Sequence, residues 1–167
     1  MALQLQFAAL LGFAALMGLA AFEDLRRLLI PNALTLSMCA LWPLYAAATP
    51  SLPVILGSLG CAIAVFLAGA FCFARGYLGG GDVKLLAVGT LWAGPGATPA
   101  LLVLTGVLGG MLALFLLLPP GAAVTALARA KLGPGDTETK IGGATPVPYG
   151  IAIAAAATLV IILPHFR

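Results

Sequence analysis

The run GGGDVKLLAVGTLWA, residues 79–93, sets one carboxylate, Asp82, and one ammonium, Lys84, at the head of an apolar segment. A charged side chain at membrane depth costs about 2.5 kcal/mol or more, so an ionisable residue placed there calls for a structural or functional reason. The segment itself is short. Val83 to Ala93 would cover only roughly 16 Å as a helix, about half the hydrocarbon thickness, before Gly94-Pro95-Gly96 interrupts it. Either the helix continues across Gly94 to Pro99 at the far surface, or Asp82 lies below the near surface; some recess is expected, in a protein-lined, wet cavity where glycine-rich backbone is tolerated.

Outward from this run the chain is nearly all hydrocarbon. Of its 167 residues 62% are hydrophobic and 8% charged, and the mean hydropathy is +1.15. That excludes an ordinary soluble domain and predicts an all-α, polytopic membrane protein. At roughly 20 residues per crossing, about six helices fit, in one domain over 1–167. Cys39, Cys61 and Cys72 lie in apolar segments without a CxxC pair, which argues against a zinc ribbon or a disulfide framework. A net charge of +3, divided among loops, does not suggest nucleic acid as a partner.

The six expected spans are about 3–22, 32–48, 54–73, 83–93, 100–118 and 148–163. Met1 to Gln6 carries no basic side chain, so the first span is expected to be a retained helix and not a cleaved signal. Pro31 before Asn32 suits a helix start, and Thr49-Pro50-Ser51-Leu52-Pro53 reads as a turn. Six spans put loops 23–31, 74–84 and 119–146 on one side. Seven of the eight Lys and Arg residues fall there, with Arg167 on the other side, so that face is expected to be cytoplasmic and the N-terminus outside. All five acids, Glu23, Asp24, Asp82, Asp136 and Glu138, share the same face.

Two aspartates in one confined site cannot both ionise easily, so one holds a proton while the other acts as a base. Such a pair can activate water for attack on a peptide carbonyl and protonate the leaving amine. Each residue also has a plainer reading. Asp82 suits the N-cap of the helix that follows it. Asp24 suits an interfacial charge beside Arg26 and Arg27, although an acid at the C-terminal end of a helix sits on the unfavourable pole of its macrodipole. Glu23 meets the same objection, and physics alone does not choose between them.

Asp24 followed by Ile30-Pro31-Asn32, then Gly79-Gly80-Gly81-Asp82-Val83-Lys84, then Pro146-Val147-Pro148-Tyr149-Gly150, resembles the type IV prepilin leader peptidases, the GxGD membrane proteases. The likeness is to the short form that serves Flp-type, or tight-adherence, pili. It implies an aspartic-type endopeptidase of the bacterial inner membrane with Asp24 and Asp82 as the catalytic pair. The implied substrates are prepilins with a basic leader and a hydrophobic helix, cut after a glycine at the junction. The wider setting would be pilus or secretion-system biogenesis, with assembly proteins as further partners.

The long form of that family carries a cysteine-bearing cytoplasmic insertion that accompanies N-methylation. Here the first cytoplasmic loop is short and lacks cysteine, so peptidase activity alone is expected, with no metal or nucleotide cofactor. Gly79, Gly80 and Gly81 are candidates for close approach of a substrate backbone. Pro31, Asn32, Lys84 and Tyr149 are candidates for shaping the site; Lys84 also reads as a topological charge and Tyr149 as an interfacial aromatic. A solvated linker, with an amphipathic turn around Val124 to Leu132 as the alternative, is read between Pro119 and Thr145, and His165 receives no role. The rival readings are a small cation or proton-coupled transporter component, a non-catalytic secretion subunit, and another GxGD protease such as a preflagellin peptidase or a presenilin-like enzyme. Acids confined to one face disfavour a conducting path.

Overall fold

The computed structural model describes residues 2–47, 51–118, 123 and 148–166, and all regular structure among them is helical. α1 is Ala2–Arg27, α2 Asn32–Ala47, α3 Leu52–Ala74 and α4 Gly80–Leu117. α5, Tyr149–Ala157, continues through a π-helical stretch, Thr158–Ile162, into a 3-10 turn, Leu163–Phe166. The expected loop 119–146 lies outside the described residues except at Ala123, and with it the amphipathic turn, Pro146, Val147 and the charges of Arg129, Lys131, Asp136, Glu138 and Lys140. So do Arg167, part of the 49–53 turn and the side chain of His165.

By length and composition three helices can cross a membrane: Gln4–Arg27, Leu52–Ala74 and Gly80–Leu117. The chain is thus a membrane protein, all-helical among the described residues. Its outward surface agrees, with large apolar side chains such as Leu56, Leu67 and Phe71 exposed along α3. A soluble monomer does not display a continuous apolar face of this kind.

Two boundaries differ from the expected ones. The first span was expected to end at Phe22, with residues 23–27 in a polar turn, yet α1 runs on to Arg27. The ion pair between Glu23 and Arg27, one turn apart at 3.3 Å, supports that last turn. Leu28 then stops the helix in a left-handed conformation (φ 51°), its N–H donating to the Asp24 carbonyl at 2.8 Å.

The second difference is at Gly94-Pro95-Gly96, expected to separate two spans. The helix is interrupted at one residue only, Gly94, at φ 69° and ψ 176°. Positive φ suits glycine, and Pro95 supplies no N–H to carry the ladder across the break. In a straight helix residues 89 and 101 would stand about 18 Å apart. A Cβ added at Gly89 would instead lie 3.3 Å from a Leu101 methyl, so α4 folds back sharply at Gly94.

α3 and α4 form the most extensive helix contact. Their register is read from small residues: a Cβ at Gly69 would lie 2.8 Å from Val83, and one at Gly57 would lie 3.0 Å from Pro95. Positions ascend along α3 as they descend along α4, so the pair is antiparallel. Backbones come this close in lipid because association there rests on packing and not on hydrophobic exclusion from water. At the centre, Trp92 stacks on Phe13 of α1 at 4.4 Å and lies 5.2 Å from Tyr45 of α2. Its indole N–H donates to the Met38 carbonyl at 3.2 Å, so one side chain ties α4 to both helices.

Gly69→Ala should lower the thermal midpoint in detergent by an amount corresponding to about 1–3 kcal/mol of overpacking. Val83→Ala in the same chain should restore most of it; an unchanged midpoint in the single variant would contradict the register.

Candidate active site

Successive residues on a helix point about 100° apart, and this rotation separates the two neighbouring acids at the end of α1. Glu23 turns outward to Arg27. Asp24 turns inward and is 5% exposed. The sequence left these two equivalent on physical grounds; packing distinguishes them.

Asp24 lies one turn from the C-terminus of α1, where the helix dipole disfavours a negative charge. A second helix end offsets that disadvantage. Asp24 Oδ2 accepts the backbone N–H of Gly150 at 2.7 Å, in the first turn of α5. A helix N-terminus presents free amides and a partial positive charge, which is the environment a carboxylate seeks. The approach leaves no space: a Cβ on Gly150 would stand 2.8 Å from Oδ2 and 3.0 Å from Cγ. Gly150 stood in the Pro-Val-Pro-Tyr-Gly motif, but the sequence reading assigned it no role. Its signal was a glycine in the first turn after Pro148, where neither a turn nor a helix favours one.

Asp82 sits at the head of α4 and is 8% exposed. The plain sequence reading made it an N-cap; that position belongs to Gly79, in an extended conformation, and Asp82 is the third helical residue. From there its carboxylate reaches back to the Gly79 amide, the reach that an acid at this position makes in a capping box. A Cβ on Gly79 would fall 2.7 Å from Asp82 Oδ2. The other oxygen, Oδ1, is shielded from solvent and has no hydrogen-bond partner among the described residues. Buried polar atoms are seldom left so, and a catalytic role is one of the explanations such an atom calls for.

Asp82 lies within electrostatic reach of the Asp24 carboxylate. α1 and α4 thus converge on a pair of buried acids, and each acid meets a backbone amide at the start of a helix. Two equivalent groups in unlike surroundings can divide the roles of acid and base.

The remaining candidates are placed as follows. Gly80 packs against Phe73, and a Cβ on Gly81 would come within 3.1 Å of Ile30. The glycine run thus makes close contacts within the protein. The Pro31 carbonyl accepts the Leu34 N–H at 3.1 Å in opening α2. Lys84 donates to Asn32 Oδ1 at 2.8 Å, a bond that joins the heads of α4 and α2. Its position two residues after Asp82, about 200° around the helix, directs it away from the carboxylates. The Tyr149 ring packs against Gly109. Among the described residues no three His, Cys, Asp or Glu side chains gather as a metal-binding group.

Gly79→Ala forces a methyl against the Asp82 carboxylate and should lower the thermal midpoint in detergent by several degrees, about 1–3 kcal/mol. With Asp82→Ala in the same chain most of that loss should vanish; purely additive effects would argue against the contact.

No curated protein matches the chain, and no solved structure matches it. A sequence profile of the type IV leader peptidase family matches residues 11–114. The matched stretch takes in Asp24, Asp82 and the glycine run and ends before α5. It covers well over half of the sequence, and the chain belongs to the type IV leader peptidase family.

Proposed function

We propose that the chain is an aspartic-type endopeptidase that removes the basic leader of Flp-type prepilins, with Asp24 and Asp82 as the catalytic pair. The observation that carries this reading is the meeting of two buried carboxylates from α1 and α4, one with an unpartnered oxygen. The ionised aspartate takes a proton from water as the water oxygen bonds to the carbonyl carbon of the scissile peptide. The protonated aspartate donates to the carbonyl oxygen. Collapse of the tetrahedral intermediate breaks the C–N bond, and a proton passes to the leaving amine. The pair titrates as a unit, so the two roles belong to it jointly.

The membrane arrangement that goes with this function has six crossings within one domain. α4 has 38 residues, about 57 Å if straight, nearly twice the hydrocarbon thickness. Its fold at Gly94 lets the two halves cross separately. α2 and the α5 segment supply the shorter crossings. The excess of Lys and Arg then orients the carboxylates toward the cytoplasmic side of the bacterial inner membrane, where a prepilin leader lies. The proposed partners are the prepilins, the bilayer and the pilus or secretion assembly proteins that receive the mature pilin. Without the cysteine-bearing insertion, the enzyme would cleave without methylating.

In detergent, wild-type protein should shorten a prepilin by its leader, seen as a gel shift. Asp24→Asn and Asp82→Asn should each abolish the shift while leaving membrane insertion intact; wild-type cleavage by either would remove the pair assignment. Gly150→Ala should slow cleavage by roughly 10–100-fold, the effect of losing one hydrogen bond to a charged group, about 1.5–3 kcal/mol. An unaltered rate would detach α5 from the chemistry.

A further inference from the structure

Two shielded side-chain oxygens have no hydrogen-bond partner among the described residues: Asp82 Oδ1 and Thr105 Oγ1. The second is the less expected. Thr35, Ser58, Thr90, Thr98 and Thr158 each donate to a carbonyl three or four residues earlier, the usual resort of a hydroxyl in a helix. Thr105 does not, and its shielded oxygen faces protein and not lipid. A buried donor without a partner is expensive, so the position calls for one that the described residues do not supply.

The fold of α4 brings this hydroxyl close to the carboxylates. Gly89 and Leu101 meet across the bend at Gly94. Four residues further on, Thr105 therefore stands level with Leu85, and Asp82 lies three residues nearer the head of the helix, about 4.5 Å along its axis. Asp82, Leu85 and Gly89 form one stripe of the first half of α4, and Leu101, Thr105 and Gly109 form one stripe of the second. The Gly89–Leu101 contact turns the two stripes toward each other. A second tie runs through α5: Gly109, one turn past Thr105, packs on Tyr149, whose neighbour Gly150 bonds Asp24. Thr105 is thus held about one turn deeper than the acids, on the side away from the head of α4.

Two donors that share one carbonyl oxygen through bonds of about 2.8 Å stand roughly 5 Å apart, a separation that this offset suits. We propose that Thr105 is a third catalytic residue, whose hydroxyl donates to the carbonyl oxygen of the scissile peptide beside the proton held by the aspartate pair. The inference rests on the aspartic peptidase reading and adds the group that meets the developing negative charge. As the water oxygen bonds to the carbonyl carbon, the π pair moves onto the carbonyl oxygen; the Thr105 O–H bond stays intact and its hydrogen bond strengthens. A fixed donor of this kind stabilises the oxyanion more than the neutral carbonyl, so it speeds the chemical step more than it tightens binding.

Thr105→Val keeps the shape and removes the donor. It should lower kcat for prepilin cleavage about 10–100-fold while KM changes less than about twofold. Its thermal midpoint in detergent should equal or exceed that of the wild type, because an unpaired hydroxyl has gone. Thr105→Ser, which retains the donor, should recover most of the rate. Wild-type kcat in Thr105→Val overturns the inference, as does a loss that serine fails to recover or a loss confined to KM. A lowered midpoint in Thr105→Val gives the hydroxyl a structural partner and overturns it as well. Asp82→Asn tests the underlying reading separately: if it is inactive while Thr105→Val is fully active, Thr105 alone is removed from the chemistry. Wild-type cleavage by Asp82→Asn removes the pair and the role of Thr105 with it.

Discussion

The 2.7 Å hydrogen bond from the Gly150 amide to Asp24 is the contact on which the arrangement depends. It joins residues 126 positions apart and closes α5 onto α1. It also answers a local electrostatic problem. An acid near the C-terminus of α1 faces the negative pole of its own helix, and the N-terminus of α5 supplies the opposite pole across the interface. Asp82 meets its own version of the same solution in the Gly79 amide at the start of α4. Two helix ends thereby hold two buried carboxylates. A neighbouring ammonium would stabilise the doubly charged form and weaken the division between proton donor and base. Lys84, the cation closest in sequence to Asp82, is instead taken up by Asn32.

Glycine makes these approaches possible, by absence of volume more than by backbone freedom. At Gly79 and Gly150 the space a Cβ would need is already filled by carboxylate atoms. At Gly57 and Gly69 it is filled by Pro95 and Val83 of the facing helix. Conformational freedom is decisive at Gly94, where positive φ folds α4 back and lets one continuous stretch contribute both the head that carries Asp82 and the Gly109 face that receives Tyr149. α4 thus contacts α2, α3 and α5, and this explains why a residue at its head can be buried although its sequence neighbours include a flexible-looking glycine run.

Much of the fold was legible in the sequence because lipid imposes a simple rule: every backbone polar group must be satisfied internally, so apolar stretches become helices. The starts of α2 at Asn32, α3 at Leu52 and α5 at Tyr149 each follow a proline or a turn signal, and they lie within two residues of expectation. The end of α1 was misplaced because Glu23 to Arg27 read as a polar turn; the Glu23–Arg27 pair and the left-handed Leu28 extend the helix past the apolar run. The 94–99 stretch read as a gap because composition does not distinguish a loop from a helix broken at a single residue.

The sequence by itself determined an all-helical membrane chain, the apolar segments that form it, and the placing of two aspartates at segment ends. The family is legible there too, because its motifs are short runs of residues that recur in a fixed order along the chain. Only the tertiary structure decided that Asp24 and not Glu23 faces inward, that Asp82 reaches back to Gly79 instead of capping the helix, and that Gly150 completes the environment of Asp24. The physical reason is that these depend on the rotation of each helix about its axis and on contacts between helices distant in sequence. Uniformly apolar segments, with hydrocarbon on every face, carry almost no periodic signal from which that rotation can be read.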